Sequence, residues 1–299
     1  MNRNTRNGFT LIETVVVCAI ISLLLALVVP AIQRVRASAQ QIECKNKMRN
    51  IALALQLYYG DYKKLPTYRS SLFSRTPEGQ LGWMALILPY VEGDNLYSVA
   101  LKACAKSNNP LSNAHNAAME TVVQTYYCPV DNRLSVALTD QFGKKAAYTS
   151  YLGINGAFDQ TTGKTLRGYF GCRRIEEIYD GLTNTISFGE RPPPDNLQAG
   201  WWYPIYTASS TGNRGPNNYM VIGGFRYLFQ DTDCELSSIA LGYGNLSNPC
   251  DRFHFWSLHG NGSNFAFADG AVRFIPYSSD NIVKSLASVK GGEVVDIDY

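Results

Sequence analysis

The sequence lacks the charge imbalance that a nucleic-acid surface requires. Lys and Arg number 27 against 24 Asp and Glu, a net charge of +3, and no clustered basic excess points to a polyanionic partner. No two of the seven cysteines, Cys18, Cys44, Cys104, Cys128, Cys172, Cys234 and Cys250, stand at Cys-x-x-Cys spacing. That argues against zinc or thioredoxin-like chemistry. Gly-x-Ser-x-Gly, His-Glu-x-x-His and a P-loop are missing, as is any repeat of fixed period. What is present is ordinary globular composition, 299 residues of which 45% are hydrophobic and 17% charged. That suffices for one large domain or two small ones. The 19 Tyr and 25 Gly suggest a body rich in strands and loops.

The N-terminus departs from this average. Residues 1–8 are short and basic through Arg3 and Arg6, and without them the net charge falls to +1. Phe9-Thr10-Leu11-Ile12-Glu13-Thr14 follows, and from Val15 to Ile32 only Ser22 is polar. The run from Phe9 to Ile32 is about 24 residues, or ~36 Å of helix, enough to cross the ~30 Å hydrocarbon core. Basic residues ahead of it place the N-terminus in the cytoplasm and the body outside. Three readings compete. A secretory signal peptide would use the small-x-small site at Ala37-Ser38-Ala39, but the run is too long and Arg34 and Arg36 intervene. A plain membrane anchor gains nothing from Glu13, whose carboxylate costs up to about 3 kcal/mol in a membrane helix. The third reading explains Glu13.

Gly8-Phe9-Thr10-Leu11-Ile12-Glu13 resembles the prepilin-type cleavage and methylation motif at every position. The resemblance implies a membrane prepilin peptidase/methyltransferase that cuts after Gly8 and methylates Phe9. It also implies that Glu13 pairs with the N-terminal amine of a neighbouring subunit during assembly, so that the buried charge is matched on polymerisation. Pro30 stands where many pilins carry a helix-breaking proline, and it removes one helical hydrogen bond. Beyond it, Ile32, Val35, Ala39, Ile42, Met48, Ile51, Ala52, Leu55 and Tyr59 recur at mostly three- and four-residue steps, the stripe of an amphipathic helix. Gly60-Asp61 is expected to end it. A helix from Phe9 to Tyr59 would be ~76 Å long, bare in its first half and packed under the body in its second, as in the pilin stalk.

The body, 61–299, reads as short segments between turn residues. Short helices are expected at 83–91, broken at Pro89, and through Leu96-Tyr97. A polar surface loop is expected over 105–118. Strands are expected at Tyr126-Tyr127-Cys128, 148–153 and 185–188, a single turn at 175–181, and an irregular insertion over 191–220. Phe265 to Phe274 reads as a hairpin with Asp269-Gly270 as a type I′ turn, its strands laid on the stalk helix. The class is α+β: a long N-terminal pilin-type helix packed against an antiparallel sheet with long loops. The divisions are a leader 1–8, a transmembrane and assembly helix 9–32, an amphipathic stalk 33–60 and an extracytoplasmic domain 61–299, with 191–250 as a variable insertion.

His259, nine further residues and then Asp269-Gly270 resemble the H-X9-DG element that closes a bacterial family carried behind prepilin-type N-termini, domain of unknown function 1559. Further matches run in order through Cys44-Lys45-Asn46-Lys47-Met48, Leu88-Pro89-Tyr90-Val91-Glu92, Tyr127-Cys128-Pro129-Val130-Asp131 and Thr149-Ser150-Tyr151-Leu152-Gly153. Residues 180–186, Glu190 and Gly291-Gly292-Glu293 complete the series. Cys44 and Cys128 both fall in these motifs, and a disulfide between them would staple the stalk to the body. Cys234 and Cys250 flank one loop, whose closure is worth roughly 3 kcal/mol, leaving Cys104 with Cys172. Six cysteines allow 15 pairings, and the sequence establishes none of them.

His259 and Asp269 invite a catalytic reading, with His254 and Glu190 as helpers. Turn geometry accounts for Asp269-Gly270 by itself, and a histidine before Gly260-Asn261-Gly262 suits a hydrogen-bonding anchor. His254 and His259 are five apart, poor helical spacing for a shared metal. No catalytic residue and no cofactor is assigned. Asp231, Asp233 and Glu235 alternate as a calcium candidate, against which stands a plain solvated acidic loop. The leading reading is a non-enzymatic pilin or pseudopilin subunit of a type IV pilus or a type II secretion-like filament. It sits in the bacterial inner membrane by a single pass, then in a periplasmic or cell-surface filament with other pilin-like subunits. A tethered glycan- or adhesin-type binder is the alternative, with Trp201, Trp202, Tyr203 and Tyr206 as its platform, although buried core is the more natural place for those rings, and a surface enzyme using His259 is the third.

Overall fold

The computed structural model describes residues 11–66, 76–109, 112–140, 143–159, 164–197, 199–203, 219–222 and 240–291. The chain divides into two units, 1–42 and 43–299. Gly8 and Phe9, the calcium candidates Asp231, Asp233 and Glu235, as well as Cys234 and Tyr206, lie outside the described residues.

Helix α1, Leu11–Tyr62, is continuous over 52 residues and contains Pro30. In the first unit its apolar side chains, among them Leu11, Val15, Ile20, Leu24, Leu27 and Val35, are exposed. In the second unit Cys44, Met48, Ile51, Ala52, Ala54, Leu55 and Tyr58 are buried, on the three- and four-residue steps of one helical face. Tyr58, not Tyr59, completes the stripe. The helix also runs past Gly60, whose hydrogen faces open space. It stops where Lys63 turns left-handed at φ 52° and closes on Tyr59 O at 2.8 Å.

The body begins with α2 (Trp83–Leu86), a 3-10 turn at Leu88–Val91 with Pro89 in its first positions, and α3 (Asp94–Lys106). α3 is longer than expected, 13 residues. The expected surface loop over 105–118 instead contains α4 (Asn116–Met119) and buries His115, Ala118 and Met119. The expected strand at Tyr126-Tyr127-Cys128 is a 3-10 turn, Gln124–Tyr126. Tyr126 lies wholly inside, its hydroxyl donating to Met84 O at 2.6 Å, so a buried anchor outweighs the local strand preference.

A two-stranded ribbon, β1 (Leu138–Thr139) and β2 (Lys145–Ala146), precedes the main sheet. That sheet contains β3 (Tyr151–Asp159), β4 (Lys164–Arg167), β5 (Ile186–Glu190), β6 (Tyr219–Ile222), β7 (Gly262–Phe267) and β8 (Val272–Pro276). Its order is β4-β3-β5-β7-β8, all antiparallel. β6 pairs with β3 in parallel, inside a stretch expected to be irregular through residue 220. The last helix among the described residues is α5 (Asp280–Leu286).

Every residue of β5 and β7 is buried, because the sheet is covered on both faces. The period of two sorts its side chains, and a register shift between Ile186 and Phe188 changes the phase within β5. Tyr151, Phe188, Ala266 and Ala268 join the cluster with Met48, Ile51 and Leu55 of α1. Leu152, Ile186, Phe265 and Phe267 join Phe255, Val283 and Leu286. Alanines on the α1 face let the helix approach, while Gly189 on the other face leaves room for the Phe265 ring, which a Cβ would meet at 2.5 Å.

The hairpin forms as expected, but not with a type I′ turn. Gly270 N–H donates to Phe267 O at 2.9 Å and Phe267 N–H to Ala271 O at 2.8 Å. Only Gly270 has positive φ, 88°. This is the three-residue loop with a left-handed glycine. It rests on α1, for a Cβ on Gly270 would stand 2.7 Å from Gln56 Nε2.

Candidate functional site

The two-residue period carries Glu190, with Phe188, onto the α1 face of β5, and Asn264, with Ala266, onto the α1 face of β7. Cys44 enters from α1. Cys128 enters from the segment after the Gln124–Tyr126 turn, held by its N–H donating to Ser150 Oγ at 3.0 Å. His259 enters from the turn before β7, its N–H donating to Ser257 Oγ at 3.1 Å. Ser257 Oγ in turn donates to Gly262 O at 2.7 Å, which fixes the turn at the strand start.

One sulfur each from Cys44 and Cys128, an oxygen of Glu190 and a nitrogen of His259 lie within 4.8 Å of one another. Cys44 Sγ donates to Glu190 Oε1 at 2.6 Å and stands 3.2 Å from the Tyr151 hydroxyl. Cys128 Sγ and His259 Nε2 are 3.1 Å apart, and His259 Nε2 is 3.4 Å from Glu190 Oε1. The second carboxylate oxygen, Oε2, accepts from Asn264 N at 2.7 Å and Asn264 Nδ2 at 3.0 Å. Oε1 is thereby turned to the cluster. The His259 and Glu190 side chains are 3% and 2% exposed.

Charge distribution follows from these contacts. Burial pushes the Cys44 thiol up, helped by its bond to Cys128 and the negative Glu190. The Cys44 hydrogen bond and His259 pull Cys128 down against burial. Burial alone would lower His259, but Cys128 and Glu190 outweigh it and raise it. Cys44 is thus held as a thiol, beside a Cys128 and His259 biased towards thiolate and imidazolium. A lowered thiol next to histidine has the make-up of an activated nucleophile. A nucleophile must also meet its substrate, and here Cys128 is 4% exposed and the His259 side chain 3%.

The remaining candidate associations sort as follows. Cys44, Cys104, Cys128 and Cys172 are free thiols, so neither the 44–128 nor the 104–172 disulfide forms. Cys44 and Cys128 do meet, with their sulfurs within 4.8 Å of each other. Cys250 is disulfide-bonded. Asp269 does not join His259. Its carboxylate accepts from Ala271 N at 2.9 Å and pairs with Arg273 at 3.6 Å, both within the hairpin. His254 is also apart, its Nε2 3.1 Å from Tyr243 O. Trp201, Trp202 and Tyr203 are buried. Trp202 Nε1 donates to Thr121 O at 3.0 Å, so these rings form core and not an exposed platform. Glu13 lies in the first turn of α1, where a carboxylate also suits the helix dipole.

Among the described residues, α1 is a helix long and apolar enough to cross a membrane. Residues 3–29 match the prokaryotic N-terminal methylation motif, which makes this a type IV pilin-like protein. Residues 33–281, most of the chain, match the family described as protein of unknown function DUF1559, and the chain belongs to that family. No curated protein and no solved structure matches it.

Proposed function

We propose that the chain is the precursor of a pilin-like structural subunit. A prepilin peptidase/methyltransferase cuts between Gly8 and Phe9 and methylates Phe9. Residues 9–32 then hold the protein in the bacterial inner membrane with its body outside. Release into a type IV pilus or type II secretion-like filament places α1 against other pilin-like subunits, with Glu13 meeting a neighbour's N-terminal amine. The observation that carries this reading is the methylation-motif match over 3–29, immediately ahead of a helix whose apolar side chains are exposed. In water those side chains would lose about 25 cal/mol per Å² that burial in lipid or a filament core returns. The motif and family support a structural subunit over an enzyme, and the low exposure of the His259 side chain, 3%, points the same way.

Mass spectrometry of the mature N-terminus, from a cell that has a prepilin peptidase, tests the processing. N-methylated Phe9 is expected, and an intact Met1 or a start near Gln40 would refute it. Glu13→Ala tests assembly. The variant should stay in the membrane and be lost from filaments, and normal incorporation would end the filament reading.

A further inference from the structure

The four groups around Glu190 come from chain positions separated by 84, 62 and 69 residues, as the numbers 44, 128, 190 and 259 show. Each lies in core. Cys44 is 0%, Cys128 4% and Glu190 1% exposed. Burying two sulfurs, a carboxylate and an imidazole at one point is costly unless something common satisfies them. We propose that Cys44, Cys128, Glu190 and His259 form a four-coordinate site for one divalent transition-metal ion, with zinc the best fit.

The donor chemistry selects the metal. Thiolates favour zinc, copper(I) and iron, whereas a carboxylate oxygen and an imidazole beside them fit zinc better than copper(I). Hard cations such as calcium and magnesium prefer all-oxygen sites. Geometry agrees. Zinc at ~2.3 Å from sulfur and ~2.0–2.1 Å from nitrogen or oxygen gives tetrahedral edges of about 3.3–3.8 Å. Three of the six separations are 3.4 Å from His259 to Glu190, 3.1 Å from His259 to Cys128 and 2.6 Å from Cys44 to Glu190, and all six lie within 4.8 Å. Seating the ion opens the tightest edge by about 1 Å, within reach of a side-chain rotation.

Outer groups already aim the ligands, as metal sites require. Asn264 holds Oε2 of Glu190 and leaves Oε1 to the ion. The Tyr151 hydroxyl stands ready to donate to the Cys44 sulfur, and Ser150 fixes the Cys128 backbone. On binding, the Cys44 thiol proton and the one proton held between Cys128 and His259 leave to solvent, so that both sulfurs coordinate as thiolates and His259 through Nε2 as the neutral imidazole. Four protein ligands leave no open position, the mark of a structural ion. It would join α1, the segment at 128, β5 and the turn before β7. Without Cys-x-x-Cys, spacing alone had argued against zinc.

The test uses the full chain in detergent, loaded with Zn2+ or Co2+ alone. Elemental analysis should give one ion per chain. Co2+ should show the intense visible d–d bands and near-ultraviolet sulfur-to-cobalt charge transfer of a tetrahedral thiolate site. Cys44→Ser and Cys128→Ser should each lose that spectrum, while Cys104→Ser, which removes a buried thiol elsewhere, should keep it. If the serine variants do not fold, X-ray absorption on the wild-type cobalt protein decides, with a shell of two sulfurs expected. Failure to bind either ion with both thiols alkylatable would overturn the proposal in favour of a hydrogen-bonded cluster. A 44–128 disulfide in protein alkylated at lysis would overturn it in favour of a covalent staple.

Discussion

His259→Ala, measured with chelator present, isolates the hydrogen-bonded cluster from any ion. The Glu190 side chain is 2% exposed and faces His259 Nε2 at 3.4 Å. Deleting the imidazole leaves the carboxylate buried with three donors, the Cys44 thiol and the two Asn264 N–H groups. Removing one partner of a buried charge pair costs about 3–5 kcal/mol. The surviving donors, each worth roughly 1.5–3 kcal/mol to a charged acceptor, keep the cost near the lower end, about 3 kcal/mol. Glu190→Gln keeps an acceptor for Asn264 but loses the charge. If the pair acts as a unit, the double variant should fall short of the summed single losses by about 1–3 kcal/mol. Urea denaturation of the full chain in detergent reads this through Trp83, Trp202 and Trp256, all buried. Losses that add within about 0.5 kcal/mol would refute the coupling.

Three further outcomes follow from single positions. Gly270→Ala should cost about 1–3 kcal/mol for a side chain at positive φ, with an added share from Gln56. Gly143→Ala, at φ 77° with nothing within 4 Å, reports the backbone part alone, so a smaller loss at Gly270 than at Gly143 would contradict the packing. Gly60→Ala, in the last turns of α1 with nothing within 4 Å, should raise stability by roughly 0.5–1 kcal/mol, and a decrease in the urea midpoint would contradict an ordinary helical Gly60. His115 is held below its usual pKa by burial, with Lys144 adding to the effect against the Ser107 carbonyl. Its contribution is therefore complete above the unfolded value of about 6.5 and is lost as pH falls through the lowered folded value. Wild-type stability should drop more steeply than that of His115→Gln over that window, and parallel curves would exclude it.

The parts of the fold visible in the sequence are those governed by local periodicity. The apolar stripe of α1, the β5 segment at Ile186 and the hairpin at Asp269-Gly270 each carry their own signal within a dozen residues. The errors arise where distant packing decides. Tyr126 and Tyr127 have strand-forming side chains, but a hydrogen bond to Met84 and the Trp202 ring hold this segment in a turn. His115 sits in a polar, Asn-rich stretch, yet Tyr203 and Ser107 hydrogen-bond its ring. The parallel pairing of β6 with β3 joins segments some 60 residues apart and leaves no local trace. The cluster escaped for the same reason. A spacing rule detects ligands sharing one loop, and these four share none. The available signal was that Cys44, Cys128, Glu190 and His259 each fall in a segment resembling the DUF1559 family, as do the supporting Ser150 and Tyr151.

The position of Cys44 on α1 gives the cluster a structural meaning. Ile42 is 60% exposed and Cys44 is 0% exposed, and Cys44 is the first of the fully buried positions of α1. Farther along, Met48, Ile51, Leu55 and Tyr58 supply apolar contacts, which fix the buried face but discriminate weakly between registers, since one aliphatic side chain replaces another at modest cost. A slide of one turn would bring Met48 to the place of Cys44 and leave Glu190 Oε1 facing a thioether that cannot donate. The directional cluster therefore sets the register that the apolar stripe leaves loose, the best-attested use of buried polar groups.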